Sequence, residues 1–111
     1  MASPVPSGVG SEPVPQLVAI GVLALAHLFD YASFLLMIGR HGLQAEANPV
    51  VIGLIQETGL TGVTLAKLFT VAFAAVMALI IAPRRRRLAM TLLTFGVVAG
   101  MVGGLTNLAT L

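Results

Sequence analysis

Three apolar stretches, at about residues 17–38, 60–82 and 88–111, each run for about 20 residues with little or no charge. That is the length a helix needs to cross about 30 Å of hydrocarbon at about 1.5 Å per residue. Such runs leave few alternatives, because only 9% of the 111 residues are charged while 58% are hydrophobic. Soluble domains carry about a quarter charged residues, and a small globule with so few polar groups cannot cover its surface. The chain therefore reads as an all-α membrane protein. A cytosolic enzyme, a disulfide-stapled secreted module and a disordered tail are excluded together. The absence of Cys removes thiol chemistry, iron–sulfur ligation and Cys-based zinc sites.

The segments between the runs set the organisation. Residues 1–16, MASPVPSGVGSEPVPQ, hold Pro4, Pro6, Pro13 and Pro15 among Ser and Gly, with no apolar periodicity, and are expected to form a flexible cytoplasmic tail. No Lys or Arg precedes the first run, so a secretory signal peptide is not expected and the first span is read as retained. Residues 39–48 are polar and punctuated by Gly39 and Gly42, the pattern of a surface loop. Asn48 and Pro49 then open a helix, Asn48 as cap and Pro49 at the first helical position. Gln56, Glu57, Thr58 and Gly59 suggest an early stop, which predicts a short interfacial or re-entrant helix over about 49–58. The alternative is one kinked helix from Pro49 to Ala82. The transmembrane bundle as a whole is expected over residues 17–111. Arg84, Arg85, Arg86 and Arg87 lie between the second and third runs and belong on the cytoplasmic side. The expected topology in the cell membrane is multi-pass, with the N-terminus inside, the 39–58 segment outside and the C-terminus outside. The same arginines would attract anionic headgroups at about 1 kcal/mol each. Basic residues confined to one run do not make a nucleic-acid surface.

Ionisable residues within a span are expensive, and an Asp near its centre costs about 2.5–3.5 kcal/mol on an insertion scale. Asp30 lies about 12 Å below the outer end of the first span and Lys67 about 10 Å below the outer end of the second. Opposite charges at one depth are expected to pair or share a network, for register or for function. His27, Tyr31 and Ser33 share the helical arc of Asp30, giving an intramembrane polar cluster of His27, Asp30, Tyr31, Ser33 and Lys67. A histidine at that depth suits a proton relay, a metal ligand or an axial tetrapyrrole ligand, and equally a hydrogen bond to a neighbouring helix. No cofactor is firmly implied, His27 being the one candidate for holding a metal or tetrapyrrole. Glu46 and Asn48 are placed at the mouth of the bundle. Gly96, Gly100 and Gly104, at four-residue spacing, form a double GxxxG ridge for close helix packing, within the chain or between chains.

Asp30 in the first span, then Glu46-x-Asn48-Pro49, then Lys67 in the next span together resemble an uncharacterised family of small bacterial and archaeal integral membrane proteins, catalogued as a domain of unknown function. The likeness covers about residues 20–80. It implies that the polar cluster is a site rather than a scatter of residues, and it brings no activity with it. The family tends to carry Thr a turn after the Asp, where this chain has Ser33. The leading expectation is a non-enzymatic accessory or packing subunit of a membrane complex or a homo-oligomer, its partners lipids and other transmembrane helices. The alternative is a proton- or cation-handling transporter or channel component using Asp30, Lys67 and His27. No serine–base pair, paired-histidine motif or phosphate loop supports a membrane enzyme.

Overall fold

The computed structural model describes residues 14–111. Three long helices account for nearly all of them: α1 (Val14–His41), α2 (Pro49–Ile81) and α3 (Arg86–Thr110), with a 3-10 turn at Leu43–Ala45 after α1. Each is long and apolar enough to cross a membrane, the architecture of a multi-pass membrane protein. The helices overrun the apolar runs that predict them. α1 begins at Val14 instead of Leu17, with Pro15 in its first turn, where a missing N–H has no partner to lose. The remainder of the expected tail, residues 1–13, lies outside the described residues. α3 begins at Arg86 instead of Leu88, because arginine is a good helix former and Arg86 and Arg87 are exposed.

In α2 the leading expectation gives way to its alternative, one kinked helix. No separate short helix stands over residues 49–58, because α2 continues from Pro49 to Ile81 with a kink at Gly59. Gly59 has φ 73° and ψ −169°, a conformation that is essentially restricted to glycine. The expected stop is thus a bend, and helical geometry resumes directly beyond it. Asn48 caps α2 through its side-chain oxygen, which accepts from Val50 N–H at 2.9 Å, with Pro49 in the first turn. Gly42, at φ 82°, makes the second glycine-dependent turn, at the end of α1.

The bundle is elongated, 65 × 26 × 16 Å. α1 and α3 pack along the glycine ridge. A Cβ on Gly96 would lie 2.5 Å from Leu23 Cδ1, and one on Gly100 would lie 2.9 Å from the Ala26 carbonyl carbon. At Gly104 it would strike the Phe29 ring. The ridge is therefore covered by α1 of the same chain. Near the arginine run, Leu23, Ala78, Ala89 and Leu93 form a small three-helix core. α2 contributes only Ala78 to the buried residues, and its outer face exposes Leu65, Phe69 and Phe73, with the two Phe rings stacked at 6.0 Å. Exposed apolar side chains on this scale suit hydrocarbon rather than water.

Candidate functional site

The polar residues of α1 divide between its two neighbours. Asp30 stands at the division. Its Oδ2 pairs with Lys67 Nζ from α2, and its Oδ1 accepts from Asn107 Nδ2 of α3 at 3.1 Å. Asn107 also reaches the Asp30 carbonyl oxygen at 3.1 Å and Ser33 Oγ at 3.2 Å. Ser33 donates its own hydroxyl hydrogen to the Asp30 carbonyl at 3.0 Å, which leaves its lone pairs to accept from Asn107. Gly103 makes room for this arrangement: a Cβ there would lie 2.5 Å from Asp30 Oδ1. The carboxylate is thus held from both sides by one ammonium and one amide, the charge-assisted pairing that a low-dielectric interior demands.

Tyr31, one residue on, turns to α2. Thr64 spends its hydroxyl hydrogen on Leu60 O at 2.9 Å, so Tyr31 Oη is the donor in the bond between Tyr31 and Thr64. His27, one turn earlier, faces α3 and bonds Gly96 O through Nε2 at 2.8 Å. A carbonyl only accepts, so Nε2 carries the hydrogen. Nδ1 is buried with no partner. Any metal or tetrapyrrole at Nε2 would have to replace the Gly96 bond. Among the described residues, no three His, Cys, Asp or Glu side chains gather where they could hold a metal ion.

Glu46 and Asn48 sit where the α1–α2 connection enters α2. Glu46 accepts from Asn48 N–H at 2.7 Å. Both residues border a cleft of about 600 Å³ that is also lined by Asp30, Lys67 and Asn107. The kink at Gly59 shapes it, since Val51 and Leu54 line it from before the bend and Val63 and Lys67 from after. A second, apolar cavity of about 420 Å³ lies beside it, lined by His27, Leu28, Thr64 and Leu68. Tyr31 and Lys67 line both. The Asp30 and Lys67 side chains keep 21% and 24% of their exposure, so the pair borders space rather than being sealed. The exposed arginines Arg84, Arg85, Arg86 and Arg87 lie at the α2–α3 turn and take no part in this cleft.

His27, Asp30, Tyr31, Ser33 and Lys67 therefore gather around one joint, together with Asn107 and Thr64. Neither of the last two belonged to the cluster read from the sequence. The available signals were a lone amide in the third span at the helical spacing of Gly103, and a hydroxyl three residues before Lys67. No known family model, curated protein or solved structure matches the chain.

Proposed function

We propose that the chain is a proton- or cation-handling component of the cell membrane, with its site in the cleft bordered by Asp30, Lys67 and Glu46. One observation carries this reading: the intramembrane ion pair opens onto the same cleft as a second carboxylate. Fixing helix register requires only that Asp30 and Lys67 meet; it does not require that the pair share a cleft with Glu46. Here Asp30 is held by Lys67 and Asn107, and Glu46 has no basic partner among the described residues. A cation entering from the Glu46 side meets a rim of negative charge first. It then competes with Lys67 for the Asp30 carboxylate. A proton could follow the same course, with Asp30 and Lys67 exchanging it while the local charge stays constant.

The arginine run at the α2–α3 turn supports a topology with that turn in the cytoplasm, the Glu46 mouth outside, the N-terminus inside and the C-terminus outside. The accessory-subunit reading draws support from a different surface. The glycine ridge is occupied by α1, so assembly with another chain would fall to the apolar outer face of α2, around Phe69 and Phe73.

The test is flux in proteoliposomes under an imposed proton or sodium gradient. Wild-type protein should dissipate the gradient faster than empty vesicles, and Asp30→Asn should abolish the difference while remaining inserted and helical by circular dichroism. No flux above empty vesicles, or full flux in Asp30→Asn, would overturn the proposal.

A further inference from the structure

The cleft is far larger than a bare inorganic cation requires. Its volume of about 600 Å³ falls within the range of small-molecule pockets, about 300–1,000 Å³. Its lining is two-sided. Asp30, Glu46, Asn48 and Asn107 provide acceptors, while Val51, Leu54 and Val63 provide an apolar wall. The charges that line it are Asp30, Lys67 and Glu46, one cation against two carboxylates, which leaves one negative charge unneutralised. A naked metal ion would leave the apolar wall idle, and no set of three metal-binding side chains is present among the described residues. The present occupant of Asp30 is itself informative. Lys67 Nζ is a primary ammonium on an alkyl stem, held by the Asp30 carboxylate, and it presents the chemistry an external ligand would have to match.

We infer that the cleft binds an organic ammonium with an apolar body, its charge directed at Glu46 and Asp30 in competition with Lys67 and its body against Val51, Leu54 and Val63. This rests on the cation-handling reading and specifies the substrate class of the same site. The ammonium could belong to a free amine or to a lipid headgroup. The shared requirement is a positive nitrogen on an apolar frame.

The experiment is equilibrium binding of 4-phenylbutylammonium to the full chain in phosphatidylglycerol nanodiscs, with empty discs subtracted. The comparison ligands are 4-phenylbutanol and 4-phenylbutyrate, which keep the body and change the charge. The ammonium should bind about tenfold or more tightly than either, the ratio expected when one uncompensated carboxylate is met at close range. Glu46→Gln should weaken it by about tenfold, and Lys67→Met, which removes the internal competitor, should tighten it by about tenfold. Lys67→Gln serves if the methionine variant does not fold. Equal binding of the alcohol, or ammonium binding indifferent to both Glu46→Gln and the Lys67 variant, would overturn the inference. Sodium or proton flux that depends on Asp30, with no ammonium binding, would remove this inference and leave the cation-handling reading standing. Absence of both would remove the two together. Adding phosphatidylethanolamine to the discs separates the sources: displacement of the probe assigns the site to a headgroup ammonium, and persistence of binding assigns it to a free amine, either outcome supporting the ammonium class.

Discussion

The two faces of α1 are built on opposite principles. Toward α3, Gly100 lets the two backbones meet, while Gly96 and Gly104 give way to the Leu23 and Phe29 side chains. Toward α2, the chain relies on two polar bridges, Asp30 to Lys67 and Tyr31 to Thr64, with cavities on either side. In a bilayer, where apolar burial drives helices together only weakly, close backbone packing gives a rigid joint. Polar bridges across a partly open interface give one that depends on charge and hydrogen bonding. The α1–α3 pair is thus the frame, and α2 meets α1 through Asp30–Lys67 and Tyr31–Thr64 while also packing on α3 through Ala78.

The sharpest way to break this contrast is to disturb the frame. Gly100→Leu drives a side chain into the Ala26 backbone, which has no flexible end to yield, and should cost about 3 kcal/mol or more. Thermal unfolding in detergent should show the loss of the cooperative transition. A variant as stable as wild type would mean that the ridge does not carry the α1–α3 joint.

The α2 joint should respond to charge more gently. Asp30→Asn or Lys67→Met alone should each cost about 2 kcal/mol, less than the 3–5 kcal/mol of a sealed pair, because both side chains keep about a fifth or more of their exposure. The double variant should cost clearly less than the sum, by about 1 kcal/mol or more in a double-mutant cycle. Strict additivity would show that the two residues do not hold α2 through one another.

The bend in α2 offers a subtler probe. Gly59→Ala meets nothing within 4 Å, so its whole effect is conformational, about 1–3 kcal/mol for a residue forced into glycine-only space. Gly53→Ala, also in open space but in regular helix, should be neutral or slightly stabilising. Spin-label distances from the part of α2 before Gly59 to α1 should change in the first variant and not in the second. The smallest effect belongs to Tyr31→Phe, which removes one bond to Thr64 and should cost about 0.6 kcal/mol, a typical value for a hydrogen bond between transmembrane helices. Denaturation of the purified variant in mixed micelles would resolve it; a cost above 2 kcal/mol would place the α2 joint on Tyr31 rather than on Asp30.

Much of this architecture is legible in the linear chain because the bilayer is a demanding solvent. Apolar runs of about 20 residues satisfy their backbone there by forming helices, so three helices follow from composition and spacing alone. The level depths of Asp30 and Lys67, the cap at Asn48 and the close-packing character of the glycine ridge are local properties too, each readable from helical rise or residue type.

Other features were decided only by tertiary structure. Glycine is a stop signal by its preference for positive φ, yet at Gly59 helical geometry resumes past a kink, and no local rule distinguishes the two outcomes. The ridge could have met another chain as well as its own, and it is α1 that covers it. Asn107, some 77 positions from Asp30 in the chain, enters the polar cluster because α3 packs against α1 in a register that aligns Gly103 with that carboxylate. Sequence determines which groups need partners, since an intramembrane charge or amide cannot go unsatisfied. Which partner each one finds depends on how whole helices settle against one another, and that is a property of the assembled bundle.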